Sequence, residues 1–335
     1  MVGIEAPLVF FGNATDETLK NDIIAALLPI LKIGEGKFRC FGDGELHWAS
    51  KVSSRNQEVY IVQPTNAPAE NFMELLIMID ALYRASSREI TLVIPYLGYA
   101  RQDHKMQREP ITAKVVAECL TIKKVVKRVV LFGAHSPSLP GFFDCVVDHL
   151  DSTLLMGQYL EQYMKQYGLQ SSDIIIIAPD PGAGGKGKAL SKIIKCFSTV
   201  ASKDRNYEDV DTIDGIDISA KNVNGRIAFL YDDIGSSLHT LDEAAKAAKQ
   251  CGAKKVFAGV THGVLIDGAI KRLNESPIEL LITTNSIKRP LELKSQTDKL
   301  VVLSAGSLLG DTINRIYQGE SVSELFDTRL PLQIY

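Results

Sequence analysis

Short apolar runs recur along the chain, each followed by a polar or glycine-bearing turn and then by a stretch whose apolar residues repeat at helical spacing. Unbroken runs of Val, Ile and Leu suit strands of a parallel sheet covered on both faces, and the periodic stretches supply the covering helices. The pattern predicts strands at 8–12, 58–63, 90–95 and 129–132. It predicts helices at 17–31, through the stripe Phe72, Leu75, Leu76, Ile79, Leu82 and Tyr83, and ending near Lys124. This series closes around 147–152, and a helix at 153–167 opens a second one. There the predicted strands are 174–177, a run from Ile227 into two carboxylates, 256–260, 280–283 and 300–303. Helices run from near Leu241 to a stop at Gly252, at 267–274 and at 307–317. Alternation of this kind predicts an α/β fold with two similar domains and a boundary near residue 150.

With 335 residues the chain is long enough for about two domains, and its apolar fraction of 45% is ordinary for a globular protein. A formal charge of -3 argues against a general nucleic-acid binder but leaves room for a local basic pocket. Cys40, Cys119, Cys145, Cys196 and Cys251 have neither zinc-site spacing nor a disulfide framework, so a cytoplasmic location is expected. No signal peptide and no stretch long enough to span a bilayer is read at any point, which predicts no membrane association.

Candidate chemistry gathers where predicted strands end. The turn 41–45, Phe-Gly-Asp-Gly-Glu, is tight enough to approach a ligand, though such turns are common. Cations crowd 96–114, with Arg101, His104, Lys105, Arg108 and Lys114 just past a strand, as a polyphosphate site requires. His135 follows a strand end, a position that raises it above the usual structural histidine. The stretch 178–188 reads as a glycine-rich, lysine-bearing loop of the phosphate-cradling kind, without Walker spacing. Residues 199–223 read as a mobile polar flap carrying Lys203 and Arg205. Asp232 and Asp233 stand where sugar hydroxyls or a magnesium ion are held in open parallel sheets, while the commoner role of such a pair is simply to open a loop.

Taken together, the segments 41–45, 71–84, 99–103, 108–114, 141–144, 261–263 and 318–326 resemble the ribose-phosphate diphosphokinases, also called phosphoribosyl pyrophosphate synthetases, and the resemblance runs nearly end to end. It implies two phosphoribosyltransferase-like domains, 1–150 joined by the C-terminal segment 305–335, and 151–304. It implies that the anomeric hydroxyl of ribose 5-phosphate attacks the β-phosphorus of Mg-ATP, giving phosphoribosyl pyrophosphate and AMP. Carried over residue by residue, Phe41, Asp43 and Glu45 hold adenine across a subunit contact, and Arg101 and Gln102 hold the nucleotide. His135 lies by the Mg2+ and triphosphate, and Asp180 by the ribose and metal. Lys203 and Arg205 neutralise the transferring group, as phosphoryl-type chemistry needs. Asp232 and Asp233 bind the ribose hydroxyls, and Ser236, Ser237 and Thr240 receive the 5-phosphate. The implied assembly is a homo-oligomer of dimers building a hexamer, or a hetero-oligomer with a catalytic paralogue.

The chain also departs from the family pattern. A third acid and two glycines are expected after the acid pair, and Ser236, Ser237, Leu238 and His239 stand there instead. Glycine permits positive φ and close approach of amides to phosphate, which Leu238 is expected to do only at a cost. Gly133 replaces a metal-side aspartate, and the 181–188 segment is longer. Three readings follow: a divergent diphosphokinase, a non-catalytic synthetase-associated paralogue, and a diphosphokinase with a different acceptor.

Overall fold

In the computed structural model, which describes residues 6–28, 30–201, 220–288, 292–326, 328–329 and 331–335, the apolar runs are the strands of two parallel sheets. Two units result. One is Met1–Asp151 with Ser286–Lys288 and Ala305–Pro331, and the other is Ser152–Asn285 with Arg289–Ser304 and Leu332–Tyr335.

The first unit begins with β1 (Leu8–Phe11), α1 (Glu17–Leu27), β2 (Lys32–Ile33), β3 (Gly36–Cys40), β4 (Leu46–Ser50) and β5 (Glu58–Val62). It continues with α2 (Glu70–Arg84), β6 (Glu89–Ile94), α3 (Thr112–Thr121), β7 (Val126–Phe132) and β8 (Val146–Leu150). The sheet order is β2-β1-β5-β6-β7-β8, parallel throughout. Val59, Ile61, Leu92, Val129 and Leu131 are fully or almost fully buried with Leu75, Ile79 and Leu82 of α2 and Val116 and Leu120 of α3. Tyr83, counted in the apolar stripe, is half exposed, and the Lys123 ammonium lies over its ring. Helix α1 stops at Leu27 rather than at 31. Pro29 follows, and a residue ahead of proline is driven out of helical geometry, so Leu28 is already extended. The antiparallel hairpin β3–β4 has no apolar run to announce it. It is a largely exposed ribbon fixed by one buried side chain, Trp48, whose ring meets Phe10 edge-on at 5.4 Å.

The second unit comprises α4 (Thr153–Tyr167), β9 (Ile174–Ala178), α5 (Gly184–Ile194), β10 (Phe197–Val200), α6 (Ala220–Val223), β11 (Ile227–Gly235) and α7 (His239–Gln250). After these come β12 (Lys255–Gly263), α8 (Ala269–Glu275), β13 (Leu280–Thr284), α9 (Glu292–Ser295) and β14 (Leu300–Leu303). Its order, β10-β9-β11-β12-β13-β14, is again all parallel. The alanines of α7, Ala244, Ala245 and Ala248, let the helix lie close on the sheet beside Val256, Ala258 and Val260. It ends ahead of Gly252, whose φ of +87° is open to glycine and strained for other residues. The chain then returns to the first unit as α10 (Gly306–Gln318), where Gly310 sits so near α1 that a Cβ would stand 2.6 Å from that of Ala26. The last residues close on β14, with Tyr335 and Val302 exchanging backbone hydrogen bonds.

Three expectations are corrected here. The segment 178–188 is not an open cradle: a single 3₁₀ turn, Pro181–Ala183, leads straight into α5. Asp180 nucleates it by accepting the Ala183 amide at 3.0 Å, and Pro181 fits the first helical position, where no amide is needed. The carboxylate pair does not end its strand either. β12 extends alongside, pairing Asp232 with Val260 and Gly235 with Gly263, so β11 runs on through both acids. Thr199 and Val200 belong to β10 rather than to a flap.

Candidate active site

In the first unit, polar groups collect at the C-terminal ends of β6 and β7, neighbouring strands in register at Ile94 and Leu131. Past β6 the chain turns through Tyr99, a non-glycine residue at φ +64°. Gln102 is then tied on three sides. Its amide donates to the Tyr99 carbonyl at 2.9 Å, its carbonyl accepts from Ala113, and its Oε1 accepts the Thr112 hydroxyl at 2.6 Å. Arg101 and His104 are exposed. Past β7, the Gly133 amide donates to Leu150 at 2.8 Å and the Ala134 amide donates to Nε2 of His149 at 3.0 Å, so the turn that delivers His135 is pinned to β8. Asp103 links the two loops. Burial opposes its charge, yet hydrogen bonds to His104, at 2.7 Å, and Ser136 hold its carboxyl below the ordinary value.

Phe41, Asp43 and Glu45 stand apart at the tip of the β3–β4 hairpin. The tip is a tight turn, with the Glu45 amide donating to Oδ1 of Asp43 at 3.1 Å and Gly44 at φ +92°. The Phe41 ring is 49% exposed and meets the His47 ring edge-to-face at 6.1 Å. Among the described residues, no hydrogen bond or ring contact joins this tip to Arg101 or Gln102.

The corresponding edge of the second unit is acidic and largely shielded, with Asp233 buried and Asp180 and Asp232 half-buried. Asp232 accepts the backbone amide of Asp233 at 2.8 Å. Its burial, with the Asp233 carboxyl hydrogen-bonded and like-charged beside it and Asp180 adding repulsion, pushes its carboxyl up to about 7. Asp233 is only 5% exposed and is paired with Lys186 of α5, Nζ to Oδ2 3.0 Å. Beyond them Ser236 and Ser237 form the turn into α7, and Thr240 lies in that helix's first turn, which starts at His239. Leu238 takes up φ +59°, the left-handed conformation that glycine would supply, and buries its side chain to 4% exposure among Leu241, Val260 and Leu265. Left-handed geometry costs a non-glycine residue about 1–2 kcal/mol, and burying a leucine returns about as much. The turn is held from outside by Arg272, which donates to the Ser237 carbonyl, and by the Leu265 and Ile266 amides, which donate to Gly235 and Ser236. His239 pairs with Glu243 at 3.2 Å. Leucine therefore occupies the glycine conformation by using its side chain as an anchor.

Residues 8–123 match the N-terminal domain of ribose phosphate pyrophosphokinase, and residues 215–327 match the phosphoribosyl synthetase-associated domain. The ribose-phosphate pyrophosphokinase of Fusobacterium nucleatum subsp. nucleatum is 37% identical over 98% of this chain and all of its own length. The chain belongs to the ribose-phosphate pyrophosphokinase family. Its relative from Bacillus subtilis is 39% identical over 95% of this chain and 96% of the relative. The crystal structure of phosphoribosylpyrophosphate synthetase from Mycobacterium smegmatis superposes with a TM-score of 0.82 at 30% identity, over 94% of this chain and 99% of that one. Membership fixes the fold class as tandem phosphoribosyltransferase-like α/β domains.

Within this pyrophosphokinase fold, the predicted residues fall into three groups. Gln102 and His135 share one sheet edge with Arg101, and Asp180, Asp232, Asp233, Ser236, Ser237 and Thr240 share the other. Phe41, Asp43 and Glu45 form the separate hairpin tip. Lys203 and Arg205 lie outside the described residues. Two partners were not predicted from the residues: Asp103, which bridges the loops, and Lys186. The signal for Lys186 was a lysine six positions after Asp180, hidden by reading that segment as an open loop.

Proposed function

We propose that the chain transfers pyrophosphate from Mg-ATP to the anomeric hydroxyl of ribose 5-phosphate, forming phosphoribosyl pyrophosphate and AMP for nucleotide synthesis. The observation that carries this reading is the acid pair Asp232–Asp233 near a parallel strand's C-terminal end, on the strand whose turn leads into α7, in a chain with end-to-end pyrophosphokinase relatives. Paired carboxylates accept hydrogen bonds from a sugar diol, and the amides at the start of α7 with the hydroxyls of Ser236, Ser237 and Thr240 offer donors to the 5-phosphate. Arg101 and Gln102 take the nucleotide phosphates, and the exposed Phe41 face with Asp43 and Glu45 takes adenine with help from a neighbouring subunit. Lys203 and Arg205 neutralise charge on the transferring group.

Magnesium suits the residues present. Asp180 lies near enough to Asp232 to raise its pKa, so the edge offers hard oxygen donors of the kind the ion prefers. Among the described residues, no cluster of three or more His, Cys, Asp or Glu could hold a metal. That fits an ion which binds through one or two carboxylates and completes its shell with water and substrate phosphates. Asp180 is the residue of this edge that we assign to it, and when bound it supplies charge neutralisation on the triphosphate. A homo-oligomer of dimers building a hexamer, two domains at 1–150 with 305–335 and 151–304, and a cytoplasmic location belong to the same reading. None of the five cysteines forms a disulfide, and no described helix is long and apolar enough to cross a membrane.

A second reading, a non-catalytic subunit of a hetero-oligomer with an active paralogue, is supported by the altered residues 236–239. The test is AMP formation from Mg-ATP by the purified chain, with and without ribose 5-phosphate. Sugar-dependent AMP is the expected result. No AMP, with ATP still bound, selects the second reading if a catalytic partner restores activity, and a different acceptor if another sugar phosphate does.

A further inference from the structure

Lys186 sits in the first turn of α5, where a cation faces the positive end of the helix and gains nothing from it. Its ammonium instead reaches across to Asp233 at 3.0 Å, and the carboxylate it meets is almost completely buried. Around that pair stand two more carboxylates, Asp232 and Asp180. An anionic sugar phosphate approaching this carboxylate cluster meets repulsion, and Lys186 brings a cation to it through its ion pair with Asp233. The ammonium also tethers Oδ2 of this buried carboxylate, which restricts the directions its remaining lone pairs can take. The site needs both effects, because a diol is recognised only by acceptors already aimed at it.

We propose that Lys186 is a positioning residue for the sugar, holding Asp233 in the orientation that accepts the ribose hydroxyls and lowering the negative charge the sugar phosphate must approach. The inference rests on the pyrophosphokinase reading above. It assigns Lys186 to affinity for the sugar phosphate and leaves the nucleotide half untouched.

The test compares wild type, Lys186→Met and Lys186→Arg by steady-state AMP formation and by calorimetric titration with ribose 5-phosphate. Lys186→Met raises the KM for ribose 5-phosphate by about 10–100-fold, with kcat and the KM for ATP changed by no more than about threefold, because one partner of a buried charge pair is lost on the sugar side alone. Lys186→Arg restores the sugar affinity to within about fivefold, since a guanidinium still pairs with a carboxylate. If Lys186→Met does not fold, as judged by circular dichroism, Lys186→Gln takes its place in both assays. Unchanged sugar affinity, an equal loss for sugar and ATP, or an arginine variant no better than methionine overturns the proposal. Wild type that binds ribose 5-phosphate without forming AMP defeats the pyrophosphokinase reading but leaves the calorimetric comparison of Lys186 intact. Wild type that binds no ribose 5-phosphate defeats both.

Discussion

The two parallel sheets present opposite chemistry at equivalent edges. Beyond β6 and β7 the first unit puts Arg101, Gln102 and His135 on exposed or half-exposed loops tied by hydrogen bonds to Thr112, His149 and Ser136. Past β9 and β11 the second unit keeps Asp233 buried and Asp180 and Asp232 half-buried, with Lys186 ion-paired to Asp233. Topology is shared, and charge is not. A triphosphate is large, strongly anionic and well served by exposed donors, whereas a sugar diol needs acceptors fixed in a drier setting. Under the proposed function the same architecture serves both, because the loops, and not the sheet, carry the chemistry.

The strongest way to break this contrast is Asp233→Ala, which strips the acidic edge of its partner for Lys186 and leaves a cation facing a cavity. We expect kcat/KM for ribose 5-phosphate to fall by about 10²–10³ while ATP binding persists, measured by AMP release and by nucleotide titration. Equal loss of both would show that the edges do not divide the substrates. Next in size is Leu238→Ala, which removes the anchor but not the left-handed backbone. It lowers stability by about 2–4 kcal/mol in urea unfolding, as for other buried leucines. A loss under about 0.5 kcal/mol would mean the anchor does not hold the turn.

Asp232 supplies a pH signature opposite in direction to that of Asp103 on the first unit's edge. Its carboxyl titrates near 7 in the fold, above 3.8 when free, so the native state holds the proton more tightly. Its contribution to stability is therefore present at low pH and lost as the pH rises from 3.8 through about 7. Asp232→Asn is expected to be more stable than wild type at pH 8 by about 1–2 kcal/mol, a figure reduced for partial solvent access, with the gap closing toward pH 4. A gap that widens on acidification would reverse the sign. The smallest effect is expected on the other edge. Thr112→Val deletes the hydroxyl that fixes Gln102, about 1 kcal/mol, and weakens ATP binding severalfold with sugar binding unchanged, as read by calorimetry.

Much of this arrangement was legible in the sequence because long apolar runs leave few alternatives. Ile174 to Ile177 has no partner-dependent ambiguity, and α4 has the bounds its periodicity predicts. The hairpin β3–β4 escaped because it has no apolar run, and its anchors to the core, Trp48 and Phe38, are isolated aromatic residues. The helical fate of 184–188 escaped because three glycines weaken local propensity, while the deciding interaction is a single cap from Asp180. Leu238 was the hardest. Sequence says that leucine resists positive φ, and it cannot say that a buried pocket waits for the side chain.

Gly310 against Ala26 has a further consequence, one that concerns the order of synthesis. Domains usually finish in the order they are translated. Here the first unit starts with β1 and is completed by α10, so the face of α1 around Ile23 lacks that helix until nearly the whole second unit has been made. A nascent chain stalled before residue 306 carries an unfinished first unit with an apolar helix face in water, which makes that stage of translation the one most dependent on chaperone protection.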